Sequence, residues 1–216
     1  MSEARQRILQ RLRGVRRQAG GELGRVVDRQ PWSRQERIDR FSARMREVRA
    51  EVHQTTEETW ADELRAILQA KRARNLVYAP ERPDGKRLAS ALAAAGIEPV
   101  PYRQEIEAWK RALFEQTDAG FTGCRGAIAE TGSLILWPDQ AEPRLLSLVP
   151  PIHCVLLSAD KLYATFAEAI AEQGWVEEGM PSNALLVSGP SKSADIAQVL
   201  AYGVHGPKSL VVMLVT

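Results

Sequence analysis

FTGCRGAIAETGSLILW, residues 121–137, divides the chain into two differently patterned parts. It opens on the turn-forming glycines Gly123 and Gly126 and passes through small residues to one acid, Glu130. A second turn signal follows at Thr131, Gly132 and Ser133, and then an uninterrupted apolar run, 134–137. Such a run, bounded by turn residues and too short for a helix, predicts a buried strand. Glu130 therefore sits where the chain enters the core. A carboxylate there loses water, its pKa rises, and it suits a general acid, base or nucleophile. The alternative is that Glu130 accepts N–H bonds from the 131–133 turn and only shapes the loop.

Upstream of that stretch the pattern alternates. Ile38, Phe41, Met45 and Val48 stripe a helix, and an extended piece follows at 51–54. Thr55 and Glu58 have capping-box spacing ahead of a helix carrying Trp60, Leu64, Ile67 and Leu68. A strand at 76–78 is closed by Pro80. Asp84 then caps a helix with Leu88, Leu92 and Ala95 that ends at Gly96. A strand at 98–101 and a helix striped by Ile106, Trp109 and Leu113 come next. Strand and helix alternating through short links imply right-handed crossovers and a parallel sheet with helices on its faces.

Downstream, strand-like runs crowd together around 128 and at 134–137, 145–149 and 152–157, joined only by turns. That predicts an antiparallel or mixed part. A helix with Phe166 and Ile170 ends near Gly174, and a strand at 184–187 follows. Ile196, Val199 and Leu200 mark a last helix, and 210–215 a last strand. The fold class expected is α/β, a mostly parallel sheet with a mixed β-rich part.

Composition sets the bounds. Of 216 residues, 44% are apolar and 26% charged, values of an ordinary globular protein able to bury a core. No apolar run approaches the roughly 20 residues of a membrane-spanning helix, and the basic N-terminus lacks a signal-peptide core. A cytoplasmic location is the expectation. Cys124 and Cys154 are too few to frame disulfides or to hold an iron–sulfur cluster. His53, His153 and His205 lack zinc-ligand spacing, and adjacent His153 and Cys154 on a strand point opposite ways, so no metal is expected.

The net charge of +2 hides an asymmetry: residues 1–50 hold 14 Arg and no Lys against 6 acids. Ile8, Leu9, Leu12 and Val15 put one apolar stripe on a short helix, and Gly14, Gly20, Gly21, Gly24 and Pro31 follow as a loop. Residues 1–30 thus read as a basic helical arm with its linker, and 31–216 as the main domain. A basic arm can contact nucleic acid. Arginines mixed with Leu, Ile and Gln, with no aromatic residue before Trp32, favour a solvated helix surface instead, so nucleic acid is not expected.

Two further stretches carry chemistry. In VSGPSKSADI, 187–196, a strand meets a Gly/Ser loop and then a helix that Ser193 can cap. Exposed N–H groups of Ser188, Gly189 and Ser191, the helix start through Asp195, and the charge of Lys192 make an anion cradle. A plain strand-to-helix turn is the alternative. Ser188 is expected to end a parallel strand, so that its loop walls the ligand crevice beyond the strand ends. In YGVHGPK, 202–208, His205 and Gly206 place an imidazole on an exposed loop, able to titrate near neutrality or simply to brace the loop. The 158–161 segment matches a bare SxxK, without the SDN and KTG motifs that would make it catalytic.

Three phrases together, TGCRGAIAETGSLIL (122–136), SGPSKSADI (188–196) and YGVHGPKSLVVMLV (202–215), resemble the LUD-domain family, in its lactate utilization protein C branch. The likeness covers roughly residues 34–216, and Glu130, Thr131, Gly132, Ser191, Asp195, His205 and Gly206 match its pattern. Arg125 departs from it, standing where a small or acidic residue is usual, and Ala197 stands where many members carry Glu. The resemblance implies a NagB/RpiA/CoA-transferase-like three-layer fold. It also implies a system in which two iron–sulfur partner proteins help oxidise L-lactate to pyruvate, the clusters lying in the partners and no cofactor in this chain.

On that view Glu130 and His205 are the catalytic candidates. Gly123, Thr131, Gly132, Ser133, Ser188, Gly189, Ser191, Lys192, Ser193, Asp195 and Gly206 are candidates for holding a small anionic metabolite. The competing readings are a free-standing enzyme on a phosphorylated or CoA-linked metabolite, with Glu130 as base or nucleophile, and a ligand-binding scaffold without turnover. A catalytic role carried from the fold alone is analogy.

Overall fold

The computed structural model describes residues 6–7, 32–103, 106–194 and 200–216. From Trp32 onward the elements run α1 (Arg34–Glu47), β1 (Glu51–Thr55), α2 (Trp60–Ala70), β2 (Asn75–Tyr78), α3 (Pro83–Ala93), β3 (Glu98–Pro101), α4 (Ile106–Gln116) and β4 (Ala119–Gly123). This is the alternation expected from the upstream sequence. The capping box sits elsewhere. Ser33 and Glu36 close it at the start of α1, whereas Thr55 ends β1 and its hydroxyl meets that of Thr59 at 3.0 Å.

Then come β5 (Gly126–Ile128), β6 (Ser133–Leu136), α5 (Leu145–Leu148), β7 (Ile152–Ser158), a 3-10 turn (Ala159–Lys161) and β8 (Leu162–Tyr163). α6 (Phe166–Glu172), α7 (Trp175–Glu178), β9 (Leu185–Val187), β10 (Lys192–Ala194), β11 (Leu200–Tyr202) and β12 (Ser209–Val215) complete the described part.

Six strands form one sheet in the order β1-β12-β7-β4-β2-β3, every neighbouring pair parallel. A parallel strand covered on both faces needs apolar residues throughout. β12 supplies them: Leu210 to Leu214 are all buried, and its two faces divide strictly by alternation. Val211 and Met213 pack with Cys154, Phe121 and the stripes Trp60, Leu64, Leu68, Leu88 and Leu92 of α2 and α3. Leu210, Val212 and Leu214 face the other way, against Ile38, Phe41 and Met45 of α1 and Ala127 and Leu134 of the second sheet. Beyond them on this side, Leu113 of α4 and Leu146 of α5 cover Val77.

The second sheet has the order β8-β5-β6-β9, with β5–β6 and β6–β9 antiparallel and β5–β8 parallel. The mixed character expected after residue 118 is found here. β4 and β7, from the same part of the sequence, instead lie parallel in the main sheet.

Two expectations are corrected. The apolar run at 145–149 is a helical turn rather than a strand, because Pro143 precedes it, Pro150 and Pro151 follow it, and the Pro143 carbonyl accepts the Leu146 N–H at 3.0 Å. Four apolar residues fit either period. Leu200, expected in the last helix, instead begins a strand, Leu200–Tyr202, antiparallel to Lys192–Ala194. Ser193 therefore pairs with Ala201 in a ladder and caps no helix. Residues 195–199, with Asp195 and the expected helix positions Ile196 and Val199, lie outside the described residues.

Candidate functional site

In the six-stranded sheet β2 connects outward to β3, while β4, on its other side, leads back toward β7. Winding reverses between β2 and β4, and beyond the carboxyl ends of such strands an open α/β sheet leaves a crevice. A cleft of about 460 Å³ lies there. Ala79, Arg82, Asp84 and Gly85 reach it from the β2–α3 connection, and Gly123, Cys124 and Arg125 from the end of β4. Trp137, Asp139, Glu142 and Lys161 close it.

Local chemistry explains the shape. Pro83 stands in the first turn of α3, where a missing N–H costs nothing. Two positions later a side chain at Gly85 would put its Cβ 2.5 Å from the Ala79 carbonyl oxygen. Only glycine lets the helix start so close to the strand it follows.

Glu142 is the chemical centre of the cleft. The Gly123 N–H donates to its Oε2 at 3.3 Å, and Arg82 Nε lies 3.9 Å from the same oxygen. Asp139 Oδ1 accepts the Glu142 N–H at 2.8 Å, and the other Asp139 oxygen pairs with Arg82. Burial pushes the Glu142 carboxyl up to about 7, although the Gly123 N–H and Arg82 pull the other way. A carboxyl poised there exchanges protons readily near neutrality, which general acid–base chemistry needs. The Cys124 thiol beside it donates to the Leu156 carbonyl at 3.2 Å, and burial raises it to about 12, so it is a protonated wall rather than a nucleophile.

Of the residues singled out in the sequence, Gly123 is in this cleft. Glu130 is not among its lining. It lies in the turn between β5 and β6, its N–H donating to the Ala164 carbonyl at 3.1 Å. Thr131 Oγ1 donates to Ser133 Oγ at 2.8 Å in that turn. Gly132 has φ 62°, and a Cβ on it would meet Arg44 Cβ at 2.4 Å. The turn therefore rests on α1.

Ser188, Gly189, Ser191, His205 and Gly206 do come together, in a smaller cleft of about 250 Å³ with His153 and Leu210. His153 and Leu210 are near the first residues of β7 and β12, so this cleft is at the amino ends of the parallel strands. Ser188 does not end a parallel strand, since β9 runs antiparallel to β6. β10 is extended, so among the described residues no helix N-terminus follows this loop, and exposed Lys192 and half-buried Ser193 are not in the lining. His153 is buried, its Nε2 2.9 Å from Thr122 Oγ1, and desolvation lowers it to about 3, so the ring is neutral. Cys154 faces the opposite core, as adjacent strand residues must. Among the described residues no group of three or more His, Cys, Asp or Glu could hold a metal ion.

Sequence reasoning missed Glu142, Arg82 and Asp139. The signal was present as two acids three apart in a proline-flanked loop, directly after the buried strand that ends before Trp137.

The model of the LUD domain matches residues 38–215. An uncharacterized protein of Neisseria meningitidis serogroup B is 41% identical over 180 residues, which span 83% of this chain and 77% of that one. A lactate utilization protein C of Deinococcus radiodurans is 41% identical over 107 residues, 48% of this chain and about half, 49%, of its own length. Among solved structures, a DUF162 family protein from Deinococcus radiodurans superposes with a TM-score of 0.62 at 26% identity, covering 86% of this chain and all of that one. The domain match runs from the second turn of α1 through β12 and so takes in every described strand and both clefts: the chain belongs to the LUD domain family.

Proposed function

We propose that this chain serves lactate utilization, as the subunit of an L-lactate-oxidising system that binds the substrate. The observation that carries the reading is Glu142, a largely buried carboxyl raised to about 7 in a cleft at the sheet's winding reversal. Likeness to proteins named lactate utilization protein C supports the substrate class. A three-carbon hydroxy acid fits easily in about 460 Å³. Its carboxylate is drawn toward Arg82, and its hydroxyl toward Glu142. Oxidation to pyruvate removes two electrons and two protons. Ionised Glu142 accepts the hydroxyl proton, the two electrons leave to iron–sulfur partner proteins, which supply the redox chemistry this subunit does not, and the Cα proton is released to solvent. Glu142 takes the role that sequence alone offers to Glu130, because it lines the cleft and Glu130 does not.

The test is calorimetric titration with L-lactate and pyruvate, for the native protein and Glu142→Gln, at pH 6 and pH 8. Binding that weakens as Glu142 ionises, and a flat response in the variant, supports the proposal. Absence of heat with either acid at both pH values overturns it.

A further inference from the structure

Arg125 and Lys161 line the Glu142 cleft and also an adjoining cleft of about 450 Å³ beside α6 and α7. The two cations are thus a shared rim between two openings. Arg125 is held from several directions. Its N–H donates to the Ile135 carbonyl at 2.8 Å, and its own carbonyl accepts Gln173 Nε2 at 3.0 Å. Its guanidinium lies over the Trp137 ring, 4.4 Å from the centroid. Gln173 is fixed in turn by Trp175 Nε1, which donates to it at 2.7 Å, and Trp137 meets Trp175 edge to face at 4.9 Å. A stacked guanidinium is an oriented, weakly hydrated cation, suited to planar or phosphate oxyanions. Lys161 ends the 3-10 turn after β7, is exposed, and among the described residues has no carboxylate paired with it.

The charges on either side are opposite to those of the rim. Asp139 and Glu142 lie in one cleft, Glu172 and Glu177 in the other. Carboxylates repel an anion but accept hydrogen bonds from hydroxyl groups. A ligand matched to this sequence of charges sets a phosphate at the rim and a hydroxyl-bearing end in the Glu142 cleft, where Arg82 can take a carboxylate.

We infer that the Arg125–Lys161 rim is a phosphate seat, and that the joined clefts take a phosphorylated hydroxy compound. Its hydroxyl-bearing end shares the Glu142 cleft with lactate, so the two compete. This rests on the Glu142 cleft being a ligand site and adds to it a second anchoring point and a longer ligand class.

The experiment is titration of the full-length protein with 3-phosphoglycerate, glycerate and L-lactate, repeated on Lys161→Ala and Arg125→Gln. The native protein should bind 3-phosphoglycerate at least about tenfold tighter than glycerate, the scale of one charge-assisted contact. Each variant should lose that advantage, its affinity for 3-phosphoglycerate falling to that for glycerate. Equal affinities for the two compounds in the native protein, or an advantage that survives both substitutions, overturns the inference. Lys161 is exposed, so its variant decides the matter if Arg125→Gln does not fold. Lactate binding without a phosphate preference removes the seat and leaves the proposed function. A phosphate preference without lactate binding does the reverse.

Discussion

The backbone N–H of Gly123 and the carboxylate of Glu142 meet at 3.3 Å, joining the end of β4 to the loop that follows β6. Through this contact the main sheet and the excursion into the second sheet share one polar floor. It partly offsets the desolvation of Glu142 without abolishing it, so the carboxyl rests near 7 rather than near its ordinary 4.5.

That value fixes a pH dependence with a definite sign. The folded pKa lies above the unfolded one, so the contribution to stability is fully present below about 4.5 and is lost as pH rises through about 7. Glu142→Gln removes the titration. Thermal unfolding should show the variant gaining on the native protein between pH 5 and pH 8, by up to about 3 kcal/mol at the scale of 1.4 kcal/mol per pKa unit. A constant difference across that range would show that Glu142 titrates normally.

Glu130→Gln should leave lactate and pyruvate binding unchanged and cost at most about 1 kcal/mol. The side chain belongs to a turn resting on α1 and does not line the Glu142 cleft. Loss of binding in a variant with an unchanged melting temperature would return Glu130 to the site.

Gly85→Ala should destabilise the fold by about 1–3 kcal/mol, the range of overpacked cores. The added methyl has only the Ala79 carbonyl, 2.5 Å away, and the Tyr78 ring, 2.9 Å away, to move against. Because that strain falls on a wall of the Glu142 cleft, calorimetry should also find weaker lactate binding. Native stability and affinity together would mean that the helix start can retreat freely.

Removal of residues 1–30 should leave the melting temperature within about 3 °C and preserve binding. Trp32 to Thr216 form one compact unit by themselves, and α1 opens with its own capping box at Ser33 and Glu36. A sharp drop in melting temperature would place the arm in the core.

The alternation that defines the main sheet was legible because it rests on local rules. Trp60, Leu64 and Leu68 repeat at helical spacing, and β2 carries the continuous apolar pair Leu76 and Val77 that a two-sided strand requires. What the residues could not reveal was partnership at a distance. Ile152–Ser158 reads the same whether its neighbour is a hairpin partner or β12, and only the assembled sheet decides. The 188–194 stretch resembled a strand-to-helix anion loop, yet Lys192–Ala194 pairs with Leu200–Tyr202, and a pairing outweighs a capping preference. Glu142 escaped notice for a related reason. Its perturbation comes from burial beneath Gly123 and Arg82, residues 19 and 60 positions away, and nothing beside it in the sequence announces that.

The placement of β12 between β1 and β7 bears on how the chain folds as it is made. Among the described residues β1 is an edge strand whose sole partner in the sheet is β12, and Ser209 Oγ donates to Glu51 Oε1 across 158 positions. During synthesis β1 and the helix ahead of it must wait, unpaired, until nearly all the intervening sequence has left the ribosome. β2, β3 and β4 can associate long before. Assembly should therefore begin at the β2–β4 side, which already carries the Arg82 and Gly123 walls of the cleft. It should end with a late insertion that locks β1 in place, giving a slow final phase set by long-range closure rather than by local structure.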